Sequence, residues 1–388
     1  MDFSKLTEYL NSLEKDFSVP GCDCAVMYKH APVYRHNVGY ADVQRTKGVS
    51  AKDLYFMFSA TKIITCTAAL QLIEQGKLSL DDAVDKYLPE FSQMQVLSEM
   101  PPMPMFSLPE NAATRLAERK IRIIDLFTMT SGLSYDIQTT PIRNMQKATG
   151  GKASTREMIR AIAQSPLICE PGQHWIYSLS HDVLAAVVEE ISEKTFGEYL
   201  KQYIFAPLEM EDAYFSLSPK NSNRLAALYM HGLETPEVTP IKSENRFCLS
   251  EAYESGGAGL ICSTDTYIKF VDAMCNGGVS QRGERILKQD TINLMRRNHL
   301  NPVELEDFKK SGKVGYGYGL GVRTLIDKAA SCGPVGEFGW DGAAGAYVLI
   351  DTENNIGIFY VEHIFRHFDS YKYIHPTIRD MVYRAILE

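Results

Sequence analysis

The chain has 388 residues, of which 45% are hydrophobic and 23% charged, and its net charge is −8. Such a length can bury a large core and predicts two lobes, and the composition is that of an ordinary globular protein. The negative balance argues against nucleic acid or an anionic membrane as the main partner.

The first predicted element is an amphipathic helix over residues 3–16, "FSKLTEYLNSLEKD", which lacks the apolar core of a signal peptide. No apolar run approaches the roughly 18 residues of a membrane span, so the expected setting is the cytoplasm. Residues 22–30 and 33–40 read as strands of a hairpin turning at Ala31-Pro32. Cys22 and Cys24 alternate along the first and share a face. All eight cysteines are expected as free thiols, because none forms C-x-x-C and no leader is visible.

A helix is expected from Ser59 to about Gln75, stopped by Gly76. From Leu80 to about Ser250 helical patterns dominate, broken by a Pro- and Met-rich excursion at 96–116 that reads as an apolar cap over a pocket. Beyond Glu251 the chain turns Gly-rich and alternating. "AYVLID" and "IGIFYVE" are joined by the turn "TENN", and "HPTIRDMVYRAIL" closes as a helix. The expected class is therefore α/β (α+β): an antiparallel sheet flanked by helices, built from residues 1–80 and 251–388, with a mainly helical domain at 81–250 inserted.

Several chemistries are absent from the sequence. It holds no G-x-S-x-G and no H-E-x-x-H. His363 and His367 are four apart but fall in a strand end or loop, so no metal is expected, and "GYGYGLG" reads as Gly-rich strand rather than a phosphate cradle. His174 and His181 read as structural or rim residues.

"FSATK" is different. Lys62 interrupts an apolar helix three residues after Ser59, on the same face. A serine is a poor nucleophile until a base takes its proton, and a lysine held in an apolar site loses pKa and becomes such a base. Further on, "PGQHWIYSLSHDVL" places Tyr177 just before a helix, and "FGWDGAAGAYVLID" places Trp340, Asp341, Gly342 and Ala343 on a strand among small residues.

With these three motifs in order, the chain resembles the serine β-lactamase and penicillin-binding superfamily, nearest to class C β-lactamases and family VIII carboxylesterases. The resemblance spans roughly residues 20–385 and includes "GYADV", "IRIIDLFTMTSGLSYD" and "SGGAGLICSTDTYIKF". It implies Ser59 as nucleophile, Lys62 and Tyr177 as proton-transfer groups, and the backbone N–H groups of Ser59 and Ala343 as the oxyanion hole. It also implies that Leu179, Trp340, Asp341 and Gly342 border the substrate, and that no cofactor is needed. Two positions depart from the lactamase pattern. Leu179 stands where the tyrosine motif ends in Asn, and Trp340 where the third motif opens with Lys or His.

The resulting expectation is a serine hydrolase acting through an acyl-enzyme on a small-molecule ester. The alternatives are a β-lactamase or D-amino-acid peptidase of the same fold, an acyltransferase, and a non-catalytic ligand-binding module. A carboxylate at Asp341 is expected either to repel the carboxylate of a β-lactam or to turn away and pair elsewhere.

Overall fold

A computed structural model describes residues 1–101, 108–109, 112–235 and 237–388. Part of the Pro- and Met-rich excursion at 96–116, including Met103 and Met105, lies outside the described residues. The centre of the α/β part is a seven-stranded antiparallel sheet. Its order is Tyr316–Tyr318, Arg323–Leu325, Phe338–Gly339, Tyr347–Asp351, Ile356–Val361, Gly21–Tyr28 and Ala31–Gly39. Both ends of the chain supply strands, and Asp23 pairs with Val361 across the join.

Alternation along Gly21–Tyr28 sends Cys22, Cys24 and Val26 to one face, and Ala25 and Met27 to the other. The first face is covered by helix Ser4–Phe17, which buries Leu6, Leu10 and Leu13, and by the last helix, His375–Leu387. Helix Thr264–Cys275 packs on the second face. The described cysteines are all free, seven of them buried or half-buried and Cys332 exposed.

Two expectations are corrected. The hairpin turns at Lys29-His30, not at Ala31-Pro32. Both turn residues have positive φ, the geometry that matches the twist of two strands joined by a two-residue loop. Pro32 is tolerated because Ala31–Gly39 is an edge strand, where a missing N–H breaks no ladder. The inserted section is also less helical than its pattern suggested. Ala213–Tyr214 pairs with Ile261–Ser263, which pairs in turn with Leu54–Phe56. Leu228–His231 runs beside Val238–Ile241 and Ile364–Phe365. The section 213–241 is thus tied to the sheet side of the molecule. Among the described residues, no helix is long and apolar enough to cross a membrane.

Candidate active site

The strand Leu54–Phe56 delivers the chain into a tight turn. Phe58 has a φ of 45°, a left-handed conformation that a bulky residue adopts only under constraint. The constraint is packing: its fully buried ring lies 4.8 Å from that of Phe365 and 5.6 Å from that of Phe56. A 3-10 turn, Phe58–Ala60, follows and leads into helix Thr61–Glu74, buried on all sides as far as Leu72. Ser59 therefore sits in the turn ahead of the helix rather than in its first turn, and is 8% exposed.

Lys62 has no exposed surface. Its Nζ donates to the Gly257 carbonyl at 2.7 Å and to the Tyr135 hydroxyl at 3.3 Å. It also lies 4.7 Å from the centre of the Tyr177 ring and 5.2 Å from that of Tyr135. Burial opposes its charge, but Tyr135, Tyr177 and Asp182 more than offset it, and the net effect raises the lysine above its ordinary value. The expectation of a lysine depressed by an apolar site is thus reversed. Lys62 is held as an ammonium.

Tyr177 is the middle of a stack of three rings. Tyr135 lies parallel to it, 5.4 Å away with an interplanar angle of 3°, and Trp340 lies 5.7 Å away on the opposite flank. The Trp340 indole N–H donates to the Tyr177 oxygen at 3.2 Å. Where the lactamase motif opens with a cation, this chain places a hydrogen-bond donor aimed at its own tyrosine. Tyr135 itself was missed. It lies in "SGLSYD", a stretch that carries the resemblance, and burial raises its hydroxyl further from ionisation, with Lys62 acting against that.

Gly342 lies close against the turn that presents Ser59. A β-carbon on it would come within 2.5 Å of the Met57 carbonyl, two residues before Ser59. Only a glycine lets the third-motif loop approach so closely. Among the described residues, neither the Ser59 N–H nor the Ala343 N–H has a hydrogen-bond acceptor. Both N–H donors thus lie on apposed loops without an internal partner among the described residues.

Two residues expected to border the substrate have partners of their own. Leu179 is 4% exposed and packs in the main core, its N–H bonded to the Ser134 carbonyl. Asp341 turns away. Its carboxylate accepts from Arg323 at 3.0 Å and from Lys313, and these cations hold it below the usual carboxylate range against the effect of burial. A neutralised, ion-paired carboxylate exerts no repulsion on a substrate.

Removing that charge leaves two cations facing each other, so Asp341→Asn is expected to lower stability by about 3–5 kcal/mol. A carboxylate depressed in the folded state contributes stability above its unfolded pKa, near 4, and loses it as pH falls. Thermal melts should show a large deficit for the variant at pH 7 that narrows below pH ~4. An unchanged melting temperature at pH 7 would dismiss the pairing. The ratio of ester to β-lactam turnover should not move.

The histidines hold structural positions. His174 pairs with Asp307 at 2.7 Å. His181 is fully buried against Phe127 and Cys66, and burial pushes it down to about 3. His363 donates to the Ala226 carbonyl and accepts from the Phe56 N–H, and burial pushes it down to about 4. His367 is bonded to Glu362. Among the described residues, no group of three or more His, Cys, Asp or Glu side chains is placed to hold a metal ion. Beside Tyr135 and Phe247 opens a cavity of about 1080 Å³, lined also by Leu108, Ile137 and Thr139. The Phe247 ring meets both Tyr135 and Phe58, so this space adjoins the serine turn.

Comparison with known proteins agrees with the geometry. EstB, an esterase of Burkholderia gladioli, is 28% identical over 363 residues, covering 86% of this chain and 83% of its own. The ML-236A carboxylate methylbutanoyltransferase of Penicillium citrinum is 29% identical over 254 residues, covering 64% of this chain and 56% of its own. The solved structure of EstCE1, described as a hydrolase with promiscuous acyltransferase activity, superposes with a TM-score of 0.79, at 25% identity and 98% coverage of both chains. The family described as Beta-lactamase matches residues 8–378. The chain belongs to the Beta-lactamase family, as a serine hydrolase of the β-lactamase/transpeptidase-like fold.

Proposed function

We propose that the enzyme cleaves small carboxylic esters through an acyl-enzyme on Ser59. The observation that carries this reading is Lys62: fully buried and packed against the Tyr177 ring one helical turn from a serine presented on a strained turn. Ser59 Oγ attacks the ester carbonyl, and its proton passes to the Tyr177–Lys62 pair, whose phenol oxygen is held by the Trp340 N–H. The carbonyl oxygen, now an oxyanion, takes the free N–H groups of Ser59 and Ala343. The bond to the alcohol oxygen breaks, and that oxygen leaves with the proton held by Tyr177. Water then attacks the acyl-enzyme, giving its proton to the same group, and the acid departs as Ser59 recovers its proton.

Esters are favoured over β-lactams by the third motif. A hydrogen bond to a charged group contributes about 1.5–3 kcal/mol, and the cation that would give one to a lactam carboxylate is replaced by Trp340, whose donor is already used. A second reading, transfer of the acyl group to an alcohol, shares every step up to the acyl-enzyme. The transferase from Penicillium citrinum and the EstCE1 description support keeping it.

Both readings are tested by intact-protein mass spectrometry after exposure to p-nitrophenyl esters or β-lactams, with and without an added alcohol. The expected result is an acyl adduct on Ser59 from the esters that clears within the assay, with little or none from the lactams. New ester product in the presence of the alcohol marks transfer. An absence of any adduct on Ser59 from every ester overturns the proposal.

A further inference from the structure

Asp182 lies in the first turn of helix Ser180–Ser192, five residues after Tyr177. An acidic residue there ordinarily caps its own helix. This one does not. It is 1% exposed, and its Oδ1 accepts from the Tyr253 hydroxyl at 2.7 Å, the Ser255 hydroxyl at 2.6 Å and the Gly257 N–H at 3.2 Å. All three donors belong to one loop. Oδ2 is buried without a partner, against Gly257, where a β-carbon would come within 2.3 Å of it. The carbonyl of this same Gly257 receives the Lys62 ammonium.

Lys62 is a fully buried cation, and among the described residues no carboxylate lies within ion-pair distance of it. A buried charge left uncompensated costs far more than a surface one. The nearby groups that bear on its charge are the phenols of Tyr135 and Tyr177 and the carboxylate of Asp182. The groups facing Asp182 are Tyr253, Ser255, Tyr135, Cys248 and Lys62, and of these only Lys62 is cationic.

We propose that Asp182 is the counter-ion of Lys62, acting through the Gly257 backbone as a positioning residue: it fixes where the ammonium sits and keeps it protonated. This rests on the proposed roles of Ser59, Lys62 and Tyr177 for its kinetic consequence, but not for its consequence for stability. The carboxylate touches no substrate. It locks the Tyr253–Gly257 loop with three hydrogen bonds, and that loop presents the carbonyl on which Lys62 rests. Its charge then offsets the cost of burying the ammonium.

The test is a cycle of Lys62→Met, Asp182→Asn and the double variant, read by thermal melting and kinetics. Asparagine keeps an acceptor oxygen for the three donors, so the loop anchor survives and mainly the charge is lost. Each single variant strands one buried charge, and the double variant strands none. The expected result is a double variant that melts above the less stable single variant. If Asp182→Asn alone does not fold, folding of the double variant is the same result in stronger form. A double variant as unstable as the sum of the singles overturns the proposal, whatever the enzyme acts on.

Kinetically, Asp182→Asn is expected to lower kcat at least ~10-fold, with KM within ~3-fold, because the lost interaction acts on the reacting groups rather than on the substrate. Loss of a negative charge makes the coupled set around Lys62 easier to deprotonate, so the alkaline limb of the pH–rate profile should move toward acid by about one unit or more. The control is Tyr253→Phe/Ser255→Ala, which loosens the loop while keeping the charge. It should leave that limb in place. Equal limbs in all variants would reduce Asp182 to a loop anchor. A shifted stability cycle with no ester turnover in any variant would sink the esterase reading and leave the ion pair standing.

Discussion

Ser59→Ala is expected to abolish ester hydrolysis while leaving the fold intact. Ser59 caps no helix, its hydroxyl makes no hydrogen bond among the described residues, and the strain in the turn belongs to Phe58. Deleting that one hydroxyl should therefore change stability by less than about 1 kcal/mol. The chemical loss is of another order. Removal of a nucleophile elsewhere has cost about 10⁶-fold in kcat. A loss of at least ~10⁴-fold in kcat is expected here, with a melting curve that superposes on the wild type. Intact-mass spectra should show no acyl adduct. Wild-type turnover in a well-folded variant would remove Ser59 from the mechanism.

The second large effect is the shared task of Lys62 and Tyr177. The ammonium lies 4.7 Å from the Tyr177 ring centre, and the same ammonium is bonded to Tyr135. Groups that move one proton together give losses that do not add. Tyr177→Phe and Lys62→Ala are each expected to lower kcat by ~10³-fold or more, and the double variant should be hardly slower than the worse single. Losses that sum in free energy would mean independent roles. The wild-type pH profile will report macroscopic values for the coupled set, so neither limb belongs to one residue before the variants are measured.

How far the sequence anticipated this site depends on how local each feature is. Ser59, Lys62, Tyr177 and Gly342 belong to short motifs whose order along the chain is visible, and the structure brings these segments together. Tyr135 was hidden because nothing in "SGLSYD" tells a stacked tyrosine from a core one. The orientation of Asp341 was open for a different reason. Its partners Arg323 and Lys313 lie 18 and 28 residues away and meet it only once neighbouring strands are in register. The pKa of Lys62 was expected to fall, whereas it is raised, because Tyr135, Tyr177 and Asp182 reach it from distant segments. The strands between 213 and 241 are two to four residues long, too short to show a period. The hairpin was displaced by its proline, a breaker in most settings that an edge strand accepts.

The join between the two chain ends also sets an order of events in synthesis. Gly21–Tyr28 leaves the ribosome long before its inner neighbour Ile356–Val361. More than 300 residues separate the paired positions Asp23 and Val361, so the central sheet cannot close during translation until that whole stretch has emerged. Meanwhile the hairpin offers an unpaired inner edge, and the intervening helices have time to pack first. Pairing across such a separation is slow, because loop closure precedes any gain from contact. The turn that presents Ser59, with Phe365 behind it and Gly342 beside it, is thus completed only after those later segments arrive. A chain released before Gly342 carries Ser59 without the loop that packs against its turn.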